Sequence, residues 1–280
     1  MELLNIVRPI RLILMLCCLG LAACNRSQNT PIVPTRITSV SAMATEITLT
    51  ENAPPEGYRE FVAFPQIDAN LPDLSNWRYE MTLEFDGVFS GTPRPAQGRI
   101  RAQVWYNQFG TQRRVIIETS GALFGSDDDR IALREAVRLG PDAYLVENNT
   151  CAAAGSGEPA IAADLQVSQL IGGVNRAVPM GVKAVINGEE VWRYDFAPDA
   201  LLQPYLRLGG TARIVSQNSE LWVAPSRNAV IRFWVTMNIE NAVLFENLIE
   251  NALPISGEII LRYDVYQIGI DPNITQPFGC

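Results

Sequence analysis

The chain has 280 residues, with 22 basic and 30 acidic side chains for a formal net charge of −8, 48% hydrophobic residues and no histidine. The apolar content excludes intrinsic disorder, and the acidic balance argues against nucleic acid as a partner and against charge-driven docking on anionic lipid. Without histidine there is no Ser–His or Cys–His pair and no imidazole metal site, and Lys183, the one lysine, leaves a single candidate for Schiff-base chemistry.

In chain order, Arg8 and Arg11 come first, followed by an apolar run from Leu12 to Ala23. Twelve helical residues rise ~18 Å, short of the ~30 Å core of a bilayer, so the run reads as a secretory signal rather than a span. It ends in Leu21-Ala22-Ala23-Cys24. These four residues resemble a bacterial lipobox; a plain secretory signal followed by a chance cysteine is the alternative. The resemblance implies that residues 1–23 are removed and that Cys24 carries the lipid, palmitate being the expected acyl type. The chain is then anchored to a membrane of the bacterial cell envelope on its extracytoplasmic side. Each buried CH₂ contributes ~0.8 kcal/mol, so more than one acyl chain holds stably. Loss of residues 1–23 leaves 20 basic and 29 acidic side chains, a net charge of −9.

Cys17 and Cys18 leave with the signal, so Cys151 and Cys280 are the two remaining thiols. An oxidising compartment favours one disulfide between them; two free thiols is the alternative. Closing so long a loop stabilises by roughly 4–5 kcal/mol on the loop-entropy model. No C-x-x-C is present, which argues against thiol–disulfide catalysis.

Residues 24–57 are polar, with Pro31, Pro34, Pro54 and Pro55, and read as a tether that includes one possible short strand, Ile47 to Thr50. Residues 58–280 read as one domain. Trp77, Tyr79, Met81, Leu83 and Phe85 alternate with polar residues, as do Ile100, Ala102, Val104 and Tyr106, with Val115 and Ile117 continuing the pattern. That period of two predicts strands with one apolar face. A hairpin is expected from Ala132 to Asn148 around Gly140-Pro141, and another around Asn187-Gly188. Ala229 to Glu240 and Glu258 to Ile268 complete the strand pattern. Pro159 to Ile171 reads as an amphipathic helix stopping at Gly172-Gly173, a second short helix is expected from Pro198-Asp199 to Pro204, and Val243 to Ala252 fits either helix or hairpin. The fold class is α+β, mainly β: a large antiparallel sheet with a few short helices.

Three stretches carry a further resemblance: Gly188-Glu189-Glu190-Val191-Trp192-Arg193-Tyr194-Asp195-Phe196, Glu220-Leu221-Trp222-Val223-Ala224-Pro225, and Ser256-Gly257-Glu258-Ile259-Ile260-Leu261-Arg262-Tyr263-Asp264-Val265. With the lipobox, tether and strand order, they resemble the LolA/LolB and LppX/LprG-type lipoproteins, a likeness of pattern from Trp77 to Cys280. The resemblance implies a curved antiparallel half-barrel with helices in its concavity, and a lipid-binding role. Ser120 to Asp129 depart from it.

An incompletely covered apolar face leaves a cavity, and such a cavity binds apolar molecules. The expected ligand is a lipid or other acyl chain, carried or presented without covalent chemistry, and without cofactor or metal. The cavity contacts expected are Tyr79, Met81, Leu83, Val104, Tyr106, Ile231, Phe233 and Val235; ordinary core packing is the alternative for each. Two other readings compete: a structural or sensing envelope protein with a filled core and a protein partner, and, weakest, a carboxylate-dependent hydrolase. Ser126-Asp127-Asp128-Asp129 lacks the ligand spacing of a calcium loop, and Gly155-Ser156-Gly157 is too short for a phosphate loop. No G-x-S-x-G elbow occurs.

Overall fold

The described residues form fourteen strands, the long ones built on alternation of apolar and polar residues. In chain order they are β1 (Val62–Phe64), β2 (Asn76–Phe89), β3 (Pro95–Asn107), β4 (Gln112–Ser120), β5 (Ala132–Leu139), β6 (Asp142–Glu147) and β7 (Thr150–Ala152). There follow β8 (Gly173–Ile186), β9 (Glu189–Asp195), β10 (Leu201–Leu202), β11 (Leu206–Arg207), β12 (Arg213–Ala224), β13 (Ala229–Leu244) and β14 (Ile255–Tyr266). The computed structural model describes residues 53–125, 131–152, 157–246, 249 and 252–280. All belong to one compact unit, Ala44–Cys280. The signal segment, Cys24, most of the tether with Ile47 to Thr50, Ser126 to Asp129, and Gly155-Ser156 lie outside the described residues.

The strands form one sheet in the order β1-β8-β9-β12-β13-β14-β2-β3-β4-β5-β6-β7, with β10 on β8 and β11 on β13. Neighbours run antiparallel, and the end strands β1 and β7 do not pair, so the sheet is open. Register breaks in β8, β12 and β13 mark bulges, each of which bends its strand and adds curvature. The expected open, curved antiparallel sheet with few short helices is the one observed. The hairpin expected at Asn187-Gly188 joins β8 to β9, both residues with positive φ (54° and 90°), as a two-residue turn of this type requires.

One sheet face is apolar and buried. On β2, Trp77, Tyr79, Met81, Leu83 and Phe85 are at most 3% exposed, while the residues between them reach the opposite face. Two short helices, α1 (Glu158–Ala163) and α2 (Ser168–Ile171), replace the single helix expected from Pro159 to Ile171. The break at 164–167 is stabilised from the sheet: Arg138 donates to the Ala160 carbonyl (3.3 Å) and to Asp164, and Arg113 donates to the Leu165 carbonyl. The Leu165 carbonyl, which Gln169 N–H would satisfy in a continuous helix, thus accepts from the sheet instead, while the Ala160 carbonyl keeps its helical bond from Asp164 N–H (3.0 Å) and gains Arg138. Gly172 ends α2 at φ +70°, where a Cβ would lie 2.2 Å from the Leu202 carbonyl oxygen. The second expected helix is a single 3₁₀ turn, Pro198–Ala200, and the chain returns to the sheet at Leu201 instead of continuing to Pro204. Val243 and Leu244 finish β13.

Beyond β14 the last fourteen residues cross to the far edge of the sheet. Gly269 N–H bonds the Asn76 carbonyl on β2, Asn107 on β3 donates to Asp271, and Cys280 is disulfide-bonded to Cys151 on β7, Cα–Cα 5.4 Å. Ile274 and Pro277 are buried along this path.

Candidate functional site: an apolar cavity on the buried face

The apolar face is not filled everywhere. Cross-strand register aligns Ala102, Ile117 and Arg134 in one row and Ile100, Thr119 and Ala132 in the next. Residues directly opposite in a sheet share a face, so these six form one wall on β3, β4 and β5. Leu165, Gln169 and Leu170 face them, and Phe124, Pro204, Tyr205 and Phe245 line the rest of a cavity that is partly open to solvent. The cavity is about 450 Å³, within the usual ~300–1,000 Å³ of small-ligand sites.

Each wall has a local cause. The helical wall rests on Arg113 and Arg138, and Ser168 N–H reaches buried Asp68 (3.4 Å). Arg113 also lies 5.5 Å from the centroid of the Trp77 ring. Phe124 belongs to a 3₁₀ turn, Ala122–Phe124, packed on Gly98; a Cβ there would come within 3.0 Å of Leu123 and 3.2 Å of Phe124. Phe124 and Tyr205 both pack on Phe245, ring centroids 5.7 and 6.2 Å away. Phe245 itself has φ +53°, a left-handed conformation that an aromatic residue rarely adopts. Hydrogen bonds from its N–H to the Tyr205 carbonyl and from Ile249 N–H to its own carbonyl, both 2.8 Å, hold it there. Backbone strain of this kind concentrates where a fold shapes a site.

The eight cavity contacts expected from the sequence sit elsewhere. Tyr79, Met81, Leu83, Val104, Ile231, Phe233 and Val235 are 0–1% exposed within the closed core, and half-buried Tyr106 stacks on Trp77 at 5.2 Å. None of them lines the cavity. The reason is side-chain length: these bulky residues fill the concavity together with Ile67, Leu71, Val167 and Ile171. Space opens beside them, where the face shortens to Ala102, Thr119 and Ala132; Met81 and Leu83 are cross-strand neighbours of Ala102 and Ile100. Small residues inside an alternating strand were the available signal. Nothing local marks Phe124, Leu170 or Phe245, which arrive from loops and a short helix.

Burial pushes the phenols of Tyr79, Tyr205 and Tyr263 well above the usual tyrosine range, and the hydroxyls of Tyr205 and Tyr263 have no partner among the described residues. They stay neutral and add no charge to the interior. The opposite face offers a groove of about 320 Å³ lined by Glu80, Trp234, Arg262, Asp264 and Tyr266. Its aromatic surface is already covered, with Arg232 and Arg262 lying 4.0 and 5.6 Å from the Trp234 ring. Among the described residues no group of three or more His, Cys, Asp and Glu is placed to hold a metal ion, and no helix is long and apolar enough to cross a membrane. The cavity brings together apolar surface and three polar side chains, Thr119, Arg134 and Gln169.

No family model matches the chain, and no curated protein matches it. Among solved structures it is similar to a LolA superfamily protein from Nitrosomonas europaea, with 11% identity and a TM-score of 0.22 over 81% of this chain and 93% of that one. It is also similar to a DUF1329 family protein from Desulfovibrio piger, with 10% identity and a TM-score of 0.18 over 83% of this chain and 94% of that one.

Proposed function

We propose that this protein binds an acyl chain, of a lipid or of an acylated molecule, in the cavity between β3–β5 and the α1–α2 segment, and carries or presents it without covalent chemistry. The observation that supports this most directly is an apolar chamber of ligand size, walled by a helical segment that arginines hold against the sheet. Its driving force is apolar area removed from water, ~25 cal/mol per Å². The lipobox at Leu21-Ala22-Ala23-Cys24 supports a companion proposal. Cys24 is diacylated and residues 1–23 are then removed, which places the domain beside a bilayer of the cell envelope, on its extracytoplasmic side. A bilayer is then its nearest source of acyl ligand.

Native mass spectrometry of the full chain purified from membranes tests the first proposal. Wild type is expected to retain an adduct with the mass of an acyl-bearing molecule. Ile117→Trp, which fills the chamber from β4, is expected to lose it while keeping the Cys151–Cys280 disulfide and cooperative unfolding. Wild type that is empty in repeated preparations sinks the carrier reading and favours a structural or sensing protein with a protein partner. Labelling with radioactive palmitate tests the anchor: wild type takes up label and Cys24→Ala does not.

A further inference from the structure

Arg113, Arg134 and Arg138 all project to the apolar face of the sheet, by their register with Tyr106, Ile117 and Arg113 respectively. Charge on such a face breaks the alternation that builds the strand, and exceptions of this kind mark either a structural brace or a site. Two of the three are braces: Arg113 donates from Nη2 to the Leu165 carbonyl, and Arg138 donates to the Ala160 carbonyl and the Asp164 carboxylate. Arg134 does not. It lines the cavity, its side chain is 53% exposed, and its Nε and Nη2 both contact one oxygen, Oε1 of Glu147, at 2.9 and 2.7 Å. Nη1 has no partner among the described residues. Among the described lining residues Arg134 is the one charged side chain, its partner Glu147 lying outside that lining.

We propose that Arg134 selects ligands whose acyl chain ends in an anionic head group, a carboxylate or a phosphate, with the chain in the cavity and the head at the Arg134 guanidinium. This rests on the acyl-chain reading of the cavity. The planar fork has a free edge for a second oxyanion, and an exposed Arg–Glu pair is weak enough to share its cation.

The test is calorimetric titration of the full chain carrying C24S, which leaves no acyl anchor to compete for the cavity. The probes are dodecanoate, dodecyl phosphate and dodecanol, which share one chain and differ in the head. Dodecanoate or dodecyl phosphate is expected to bind about fivefold more tightly than dodecanol. Which of the two is preferred distinguishes a free fatty acid from a phosphate-bearing lipid as the source. Arg134→Gln is expected to abolish the preference. Glu147→Gln, which releases the guanidinium from its partner, is expected to enlarge it. Equal binding of all three probes to the parent chain overturns the Arg134 proposal and leaves the acyl cavity standing. Binding of none overturns the cavity reading itself. A preference unchanged in both variants assigns the head group to some other residue and also overturns the proposal.

Discussion

Two acids on the exposed sheet face show how differently one residue type responds to its surroundings. Burial pushes the Glu80 carboxyl up, but hydrogen bonds from Arg101 (2.8 Å) and Gln103 (3.1 Å), with the charges of Arg101 and Arg78, outweigh it and leave its pKa lowered. For Asp264 the balance reverses. It is 6% exposed, and burial outweighs the bonds from Arg232 Nε (2.7 Å) and Trp234 Nε1 (2.8 Å), leaving its pKa raised. The lowered group stabilises the fold above its unfolded pKa, and that contribution fades as pH falls through the folded value. The raised group contributes fully below its unfolded pKa and loses that contribution as pH rises through the folded value. Glu80→Gln is therefore expected to cost about 1 kcal/mol near neutral pH and almost nothing in strong acid. Asp264→Asn is expected to show its largest deficit in acid, narrowing toward neutrality. Denaturant titrations of both variants across acid pH check the opposite slopes. Alternation in the sequence placed both residues on the polar face, but the balance of burial against hydrogen bonding depends on neighbours supplied by other strands.

Among the elements, strands with strict alternation and short turns were legible, because a period of two and an Asn-Gly turn are local properties. The α1–α2 segment was legible as helical but not as broken, since the break is made by Arg113 and Arg138, residues 20 or more positions away in the chain. That dependence has a consequence. Arg138→Ala removes the bonds to Ala160 and Asp164, an interaction worth about 1 kcal/mol because Asp164 is largely exposed. Hydrogen exchange in residues 158–165 is expected to accelerate about fivefold, with global stability little changed. Exchange in the segment no faster than wild type would show that apolar packing alone holds it. The carboxyl-terminal crossing is the second such element. Its covalent closure spans 129 residues, and on the loop-entropy model Cys280→Ser is expected to lower stability by roughly 5 kcal/mol, measured by urea unfolding against the oxidised parent. The disulfide followed from cysteine arithmetic in the sequence; the route of the irregular segment that carries it, over Asn76 and Asn107, did not.

For the molecule as a whole, the open curved sheet and its apolar face were legible, and the position of the empty volume on that face was not. Sequence pattern identifies which residues turn inward; a cavity is a deficit of volume, set by how bulky residues such as Phe233 and Tyr79 meet the helices and by where Ala102, Thr119 and Ala132 fall short. A chamber of fixed size makes a quantitative demand on its ligand. Each methylene that leaves water contributes ~0.8 kcal/mol, so lengthening a chain by two carbons is expected to tighten binding about fifteenfold. The gain continues only while the added carbons find wall atoms. Titration with saturated chains of increasing length should therefore give a linear rise in log affinity followed by a plateau, when the roughly 450 Å³ is filled. Gly98→Ala intrudes on the Phe124 turn, and should move the plateau to a different length without changing the slope below it. A slope near zero from the shortest chains onward would mean that the apolar surface between β3–β5 and α2 closes on itself in solution, and that the ligand site of this protein lies on another face.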